Sequence, residues 1–112
     1  MMSGMVNTKT ATLDELAIAV LSWADERGLM DPNNAFGQML KVTEEVGELA
    51  GSMAKHNRED QKDAIGDVLV TVLILAVQLG FSSTECLAHA YNEIANRTGK
   101  TVDGVFIKDE GL

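Results

Sequence analysis

The helical spacing of the apolar residues, bounded by clear start and stop signals, most constrains the fold of this chain. Apolar positions between Leu13 and Ala24 recur every three or four residues. A capping box formed by Thr12 and Glu15 precedes this segment, and Gly28 is a natural stop after it. A β-sandwich or barrel needs many aromatic and β-branched strand residues, whereas aromatics make up 4% of this chain, which has one proline. The pattern favours an all-α protein.

Three further helices are predicted along the chain. Helix 2 spans about residues 35–55, is capped by Asn33 or Asn34, and its core stripe is predicted at Met39, Val46, Ala50 and Met53. Helix 3 is capped by Asn57 and runs to residue 79. Helix 4 opens at a second capping box, residues 82–85, and ends before Gly99.

Short connections between these helices predict an antiparallel bundle of about four helices with a short extended C-terminal tail. The predicted organisation is a flexible leader at residues 1–11, a helical domain at 12–100 and the tail at 101–112. Asp103 and Gly104 form a turn signal flanked by valines, so the tail is expected either to pair as a short hairpin or to lie extended.

Composition excludes several classes of function. A chain of 112 residues is expected to form one domain, and its formal charge of -8 argues against a nucleic acid polymer as partner. The most apolar run, residues 68–79, is too short to span a membrane, and the N-terminus lacks the apolar core of a signal peptide. A single cysteine fits a reducing compartment. We expect a soluble cytoplasmic protein without a membrane partner.

Helix 2 carries an acidic cluster, Glu44, Glu45 and Glu48, on one face. Like charges three or four residues apart on a helix repel each other, and the spacing predicts no lysine on this face to offset them. A solvated acidic face is the plain alternative, because charge runs are usually that.

Helix 3 makes a metal site the stronger interpretation. It is apolar nearly all round after residue 68, so most of it is expected to be buried, yet one strip of it carries Asp63, Asp67, Thr71 and Gln78. Asp67 borders the apolar stretch and is expected to be the least hydrated acid. A buried carboxylate needs a cation, and the chain has nine Lys and Arg against 17 Asp and Glu. A hard divalent ion is the simplest partner. Zinc is disfavoured because the two histidines lie far apart in sequence.

A polar patch near the end of helix 4 is a candidate substrate-binding surface. Its members can contact phosphate oxygens or a base, and they are Asn92, Asn96, Arg97 and Lys100. The alternative is a helix C-terminus with cations that complement its dipole, Arg97 pairing with Glu93.

The segments "EEVGELA" and "DAIGDVL" on adjacent helices resemble the MazG-like, all-α nucleotide pyrophosphohydrolases. The resemblance covers roughly residues 13–100. It implies hydrolysis of a nucleoside triphosphate to the monophosphate and pyrophosphate. It also implies dependence on Mg²⁺, for which Mn²⁺ can substitute, and assembly as a dimer or tetramer.

The family pattern is E-E-x-x-E followed by E-x-x-D. By position, the resemblance assigns metal binding to Glu45, Glu48 and Asp67. The glutamate three residues before Asp67 is replaced by Ala64, and Asp63 is the nearest carboxylate. Glu44 or Glu45 is expected to accept the proton of the attacking water. Asn92, Asn96, Arg97 and Lys100 resemble the polar patch on the family's last helix.

Two other functions stay open at this point. A bundle of the same fold that binds metal or nucleotide without turnover is consistent with the alanine at position 64. A plain helical interaction protein requires the acidic strip to be indifferent to metal.

Overall fold

The structure, a computed structural model, describes residues 6–109. Its elements are, in order, α1 (Leu13–Glu26), a 3₁₀ turn (Pro32–Asn34), α2 (Ala35–Ala54), α3 (Arg58–Gln78), α4 (Ser83–Ala95), β1 (Gly99–Val102) and β2 (Val105–Lys108). The predicted all-α class with four helices is confirmed, and the tail forms a two-stranded sheet. The chain divides into two compact units, one ending at Ser82 and the other beginning at Ser83.

The first unit is built around the antiparallel pair of α2 and α3. The amide of Gln38 on α2 donates to the backbone carbonyl of Thr71 at 3.1 Å, near the C-terminal end of α3. At the opposite end of the pair, Gln61 donates to the carbonyl of Ser52 at 3.5 Å. Helix α1 packs against α3, and the 3₁₀ turn contacts both α2 and α3. Both ends of the α2–α3 pair are therefore joined by side-chain hydrogen bonds.

Two of the predicted helix caps are confirmed. The backbone N–H of Thr12 donates to the Glu15 carboxylate at 2.8 Å, and the Glu15 N–H donates to the Thr12 hydroxyl at 3.2 Å. Asn57 accepts from the N–H of Asp60 at 3.0 Å. Each cap satisfies backbone donors that have no partner within the helix.

The predicted cap of α2 is confirmed in position only, because Asn34 is the N-cap residue. Asn34 precedes α2 but makes no side-chain capping hydrogen bond. Asp31 instead caps the 3₁₀ turn by accepting from the N–H of Asn33 at 2.9 Å. The N–H of Ala35, the first residue of α2, donates to the Pro32 carbonyl, so the turn satisfies one of the donors at the start of the helix.

The predicted core stripe of α2 is also wrong. Its four members are exposed in this chain, with Met39 and Val46 each 48% exposed. The buried residues of α2 are Val42, Glu45 and Ser52. They lie on the face that carries the hydrogen bonds to α3, and the more apolar face meets no other helix of the first unit.

Helix α3 buries a mixed face rather than its whole circumference. The expectation that most of the stretch after residue 68 is buried is wrong, because Leu69 and Val72 are about half exposed. Its buried residues are Ala64, Thr71, Ile74 and Gln78. The predicted polar strip is therefore largely the face that packs against the rest of the unit.

In the second unit, α4 is followed by an antiparallel hairpin in which Gly99 pairs with Lys108 and Val102 with Val105. Asp103 and Gly104 form its turn with φ angles of 51° and 79°. Positive φ at both positions is typical of a tight two-residue hairpin turn. Of the two forms expected for the tail, the hairpin is the one observed.

No single helix within residues 6–109 is both long enough and apolar enough to cross a membrane. The predicted leader, residues 1–11, lies partly outside the described residues, as do the last three positions of the predicted tail.

Candidate functional site

A cleft of about 310 Å³ lies between the C-terminal half of α2 and the N-terminal half of α3. Its walls are formed by Glu48, Gly51, Ser52, Lys55, Asp60, Asp63, Ala64 and Asp67. Three of the four predicted metal ligands line it, namely Glu48, Asp63 and Asp67. The antiparallel pairing of α2 and α3 thus brings the two acidic clusters of the sequence together.

Glu45 is the fourth predicted ligand, and it is 7% exposed on the packed face of α2. Its Oε1 lies 3.6 Å from the ammonium of Lys41. Its Oε2 is buried and has no hydrogen-bond partner among the described residues. Burial raises the pKa of Glu45, and the neighbouring carboxylate of Glu48 raises this pKa further. This arrangement leaves one carboxylate oxygen that needs a cation or a proton.

Asp67 is electrostatically linked to the same group. Partial burial raises its pKa first, and the charges of Asp63 and Glu45 raise it further, while Lys41 acts in the opposite direction. The expectation that Asp67 is the least hydrated of the acids is wrong, because Asp67 is half-buried and Glu45 is buried. The reason is that Glu45 faces α3 directly.

Lys41 corrects the prediction that no lysine shares the acidic face of α2. Its ammonium lies 2.8 Å from Glu44 Oε1 and 3.6 Å from Glu45 Oε1. Lys41 stands three and four residues before these acids, one helical turn away, and this spacing in the sequence is the signal for such pairs. Glu44 is exposed and does not line the cleft. Of the two candidate proton acceptors, Glu45 is the one beside the cleft carboxylates.

The departure from the family pattern lies in the wall of the cleft. Ala64 is buried and lines it, where the pattern has a glutamate. Asp63 lines the cleft beside it, and so does Asp60, which sequence analysis missed. Asp60 is one helical turn before Ala64, so its spacing was the available signal. Lys55, also missed, is the cation of the cleft wall.

The carboxylates suit a hard divalent cation, because such ions prefer oxygen ligands. The unpartnered oxygen of Glu45 is a second reason, because a cation would give it a partner. Within residues 6–109, however, no three His, Cys, Asp or Glu side chains are already arranged as a metal site. Because Glu48 and Asp63 are exposed, their side chains have room to change rotamer and converge on an ion. Metal binding by Glu45, Glu48, Asp67 and Asp63 stays a prediction.

The predicted substrate-binding patch lies in the second unit. Asn92 is on α4, and Asn96 donates to its backbone carbonyl at 3.2 Å. Arg97 lies 4.0 Å from Glu93, which is the pairing expected under the alternative interpretation. Lys100 is on β1, and all four members of the patch are exposed. Their role in binding substrate stays a prediction.

The model of a protein family matches a large part of the chain. The family is the MazG nucleotide pyrophosphohydrolase domain, and the match covers residues 37–102. This chain belongs to the MazG family. The matched region of this MazG domain contains the acidic cleft and all the candidate site residues, and it confirms the resemblance found in the sequence.

A phage protein is also similar to this MazG-family chain. It is described as an uncharacterized 18.2 kDa protein in the rep-hol intergenic region of Haemophilus phage HP1 (strain HP1c1), and it is 38% identical over 68 residues. These residues are 61% of this chain and 42% of the phage protein, so the chain spans less than half the length of that relative. No solved structure matches the chain.

Proposed function

We propose that this MazG-family chain is a Mg²⁺-dependent nucleoside triphosphate pyrophosphohydrolase that converts ribo- or deoxyribonucleoside triphosphates to the monophosphate and pyrophosphate. The observation that carries the proposal is the buried, unpartnered Oε2 of Glu45 beside a cleft lined by carboxylates. A buried carboxylate oxygen without a hydrogen-bond donor is unfavourable, and a cation that arrives with the substrate would satisfy it. Membership of the family supports the reaction class. A role in keeping the nucleotide pool in order follows from that reaction.

The ion would be held by Glu45, Glu48 and Asp67, with a further carboxylate from Asp63 or Asp60. When bound there, Mg²⁺ neutralises phosphate charge and lowers the pKa of a bound water. Without a cation, the cleft wall has four carboxylates against Lys55, so it repels a triphosphate. Metal dependence therefore follows from the charges of the cleft.

The carboxylates also serve the hydrolytic step. A water oxygen forms a bond to the α-phosphorus while the bond from that phosphorus to the bridging oxygen breaks. The electron pair leaves on pyrophosphate, and the water's proton passes to a carboxylate. Glu45 suits this role better than Glu44, because Glu45 lies beside the carboxylates of the cleft, whereas Glu44 is exposed and does not line the cleft. Lys55 is placed to contact a phosphate oxygen.

A panel of ribo- and deoxyribonucleoside triphosphates with Mg²⁺ tests this function. Chromatography of the nucleotide products, combined with a pyrophosphate assay, is expected to give equal amounts of monophosphate and pyrophosphate. Excess EDTA is expected to abolish the reaction. Diphosphate and inorganic phosphate as products, or full activity in EDTA, contradict the proposal.

A non-catalytic binding protein of the same fold is the second candidate, and Ala64 favours it. An alanine at the position of the family's glutamate removes one potential ligand from the cleft wall. Calorimetry with the same nucleotides distinguishes the candidates, because saturable, Mg²⁺-dependent binding without pyrophosphate release supports the second.

We also propose that the first unit assembles with a second copy through the apolar faces that its own helices leave open. Exposed apolar side chains occur on both long helices, including Met39, Val46 and Met53 on α2 and Leu69 and Val72 on α3. Covering such residues is favourable by about 25 cal/mol per Å² of apolar surface removed from water. Light scattering at micromolar concentration is expected to give a dimer or tetramer, and a monomeric mass contradicts this proposal.

A further inference from the structure

A second cavity, of about 320 Å³, lies at the other end of the α2–α3 pair. It is lined by Leu29, Asn33, Asn34, Gly37, Gln38 and Gln78. Four of these six residues carry side-chain amides, which both donate and accept hydrogen bonds. The hydrolytic step described above uses none of them.

Gln78 is the residue that gives this cavity a specific chemistry. It is 4% exposed, and its Nε2 donates to the backbone carbonyl of Leu29 at 2.9 Å. This hydrogen bond fixes the orientation of the amide, so the Oε1 is left as an acceptor. The Oε1 is buried and has no partner among residues 6–109. A buried acceptor in that state is satisfied by a ligand that brings a donor.

Gln38 shares this arrangement on the facing helix. It also lines the cavity, and its Nε2 donates to the Thr71 carbonyl at 3.1 Å. Two glutamines of the cavity wall thus each commit an N–H to the backbone of the protein. Since the Gln78 Oε1 is the acceptor without a partner, a ligand that brings an N–H donor, such as an amino group, matches this wall.

The cavity and the acidic cleft lie along one helix pair. Among the residues that line the two sites, Gln38 and Glu48 are ten residues apart on α2, and Asp67 and Gln78 are eleven residues apart on α3, so the sites are about 15 Å apart along the helix axes. An extended nucleoside triphosphate covers a comparable distance from its phosphates to the far edge of its base, because the sugar stands between them. A nucleotide whose phosphates are in the acidic cleft can therefore extend its base toward Gln78.

We propose that this cavity holds the nucleobase and that Gln78 Oε1 accepts a hydrogen bond from an exocyclic amino group of that base. The proposal rests on the proposed function for the position of the phosphates. It predicts that the protein prefers bases that carry an amino group over analogues that lack only this group.

Pairs of triphosphates that differ by one amino group test the preference. The pairs are ATP with purine riboside triphosphate, CTP with pyrimidin-2-one riboside triphosphate, and GTP with ITP. In at least one pair, kcat/KM is expected to be at least about tenfold higher for the amino member, because a site built for a hydrogen bond rejects the analogue that lacks it. Equal values in all three pairs overturn the proposal.

Variants separate the role of Gln78 from a general effect on packing. Q78M keeps the length of the side chain. In this variant, the ratio of kcat/KM between the triphosphate with the amino group and its analogue without it is expected to fall to about one. Q61M is the matched control, because Gln61 also joins α2 and α3 through a hydrogen bond from its Nε2, at the other end of the pair. Q61M is expected to keep the wild-type ratio. An unchanged ratio in folded Q78M overturns the proposal.

Nuclear magnetic resonance of the wild-type protein gives a readout that needs neither turnover nor a variant. Adenosine, cytidine or guanosine is expected to shift the side-chain amide signals of Gln78, and the matching nucleoside without the amino group is expected to shift them less. Such shifts without pyrophosphate release refute the proposed function and support the base site. Pyrophosphate release without shifts, and without discrimination in the pairs, supports the function and overturns the base site.

Discussion

Replacing Asp67 by Asn is expected to remove most of the stabilisation that Mg²⁺ gives the protein. The cleft wall carries four carboxylates and Lys55, so its formal charge is about -3, and D67N lowers its magnitude by one. Without metal, D67N is expected to be as stable as the wild type or more stable. The reason is that burial and the charges of Asp63 and Glu45 already disfavour the charged form of Asp67 in the folded protein.

With metal, the order is expected to reverse. An ion that binds only the folded state at one hundred times its dissociation constant adds about 2.7 kcal/mol to the free energy of unfolding. For a domain of this size, that corresponds to a rise of about 10 °C in the melting temperature. D67N removes a ligand charge, so most of this rise is expected to be lost at the same Mg²⁺ concentration.

Differential scanning fluorimetry over a Mg²⁺ titration measures both effects. NaCl at matched ionic strength separates binding from the screening of repulsion between carboxylates. D25N, at an exposed acid of α1 that does not line the cleft, is the control and is expected to follow the wild type. Asp67 is not a metal ligand if D67N gains as much stability from Mg²⁺ as the wild type, and no ion binds specifically if NaCl reproduces the whole rise.

Three further predictions concern the other acids. In a pyrophosphate-release assay, E48Q is expected to lose at least about a hundredfold in activity, which is the scale of losing one strong electrostatic contributor. E44Q changes an acid outside the cleft and is expected to lose only a few-fold. Equal losses contradict the assignment of Glu48 to the metal site. Burial raises the pKa of Glu45 above its ordinary value of 4.5. Between pH 4.5 and the raised pKa, the folded protein therefore binds more protons than the unfolded chain. Stability without metal is expected to fall as the pH rises through this range. E45Q is expected to flatten this dependence in melting curves recorded across pH, and an unchanged slope counts against it. If Asp63 replaces the glutamate absent at position 64, D63N is expected to lose activity as E48Q does, whereas D60N is expected to stay active. The opposite result assigns the role to Asp60. If both variants keep their activity, the site consists of three carboxylates.

Local signals in the sequence predicted the helices well. The capping box of Thr12 and Glu15 and the cap at Asn57 depend on residues three positions apart, so they form as soon as the helix does. The turn at Asp103 and Gly104 is equally local, because positive φ at both positions is what this residue pair tolerates. Asn34 stands at the predicted N-cap position of α2 but makes no side-chain hydrogen bond, and a 3₁₀ turn leads directly into the helix, which residue type alone does not reveal.

The packed faces could not be predicted from hydrophobicity. Helix α2 has an apolar face that includes Met39 and Val46, yet it packs through the face that carries Glu45 and Ser52. Helix α3 likewise buries Gln78 while Leu69 stays half exposed. Places where a sequence breaks the apolar pattern and still packs are typical of functional sites. The identity of the acidic residues was predictable, whereas the greater burial of Glu45 than of Asp67 follows only from how the two helices pair.

Binding of Mn²⁺, followed by electron paramagnetic resonance, tests the central claim most directly, because it detects the ion without requiring turnover. The claim is that the buried Glu45 carboxylate holds a divalent cation together with Glu48 and Asp67. The wild-type protein is expected to bind Mn²⁺ saturably, E44Q to bind it with similar affinity, and E45Q to lose at least about tenfold in affinity. If E45Q binds Mn²⁺ as tightly as the wild type, the unpartnered oxygen of Glu45 does not serve a metal, and Glu45 is not a ligand of the site.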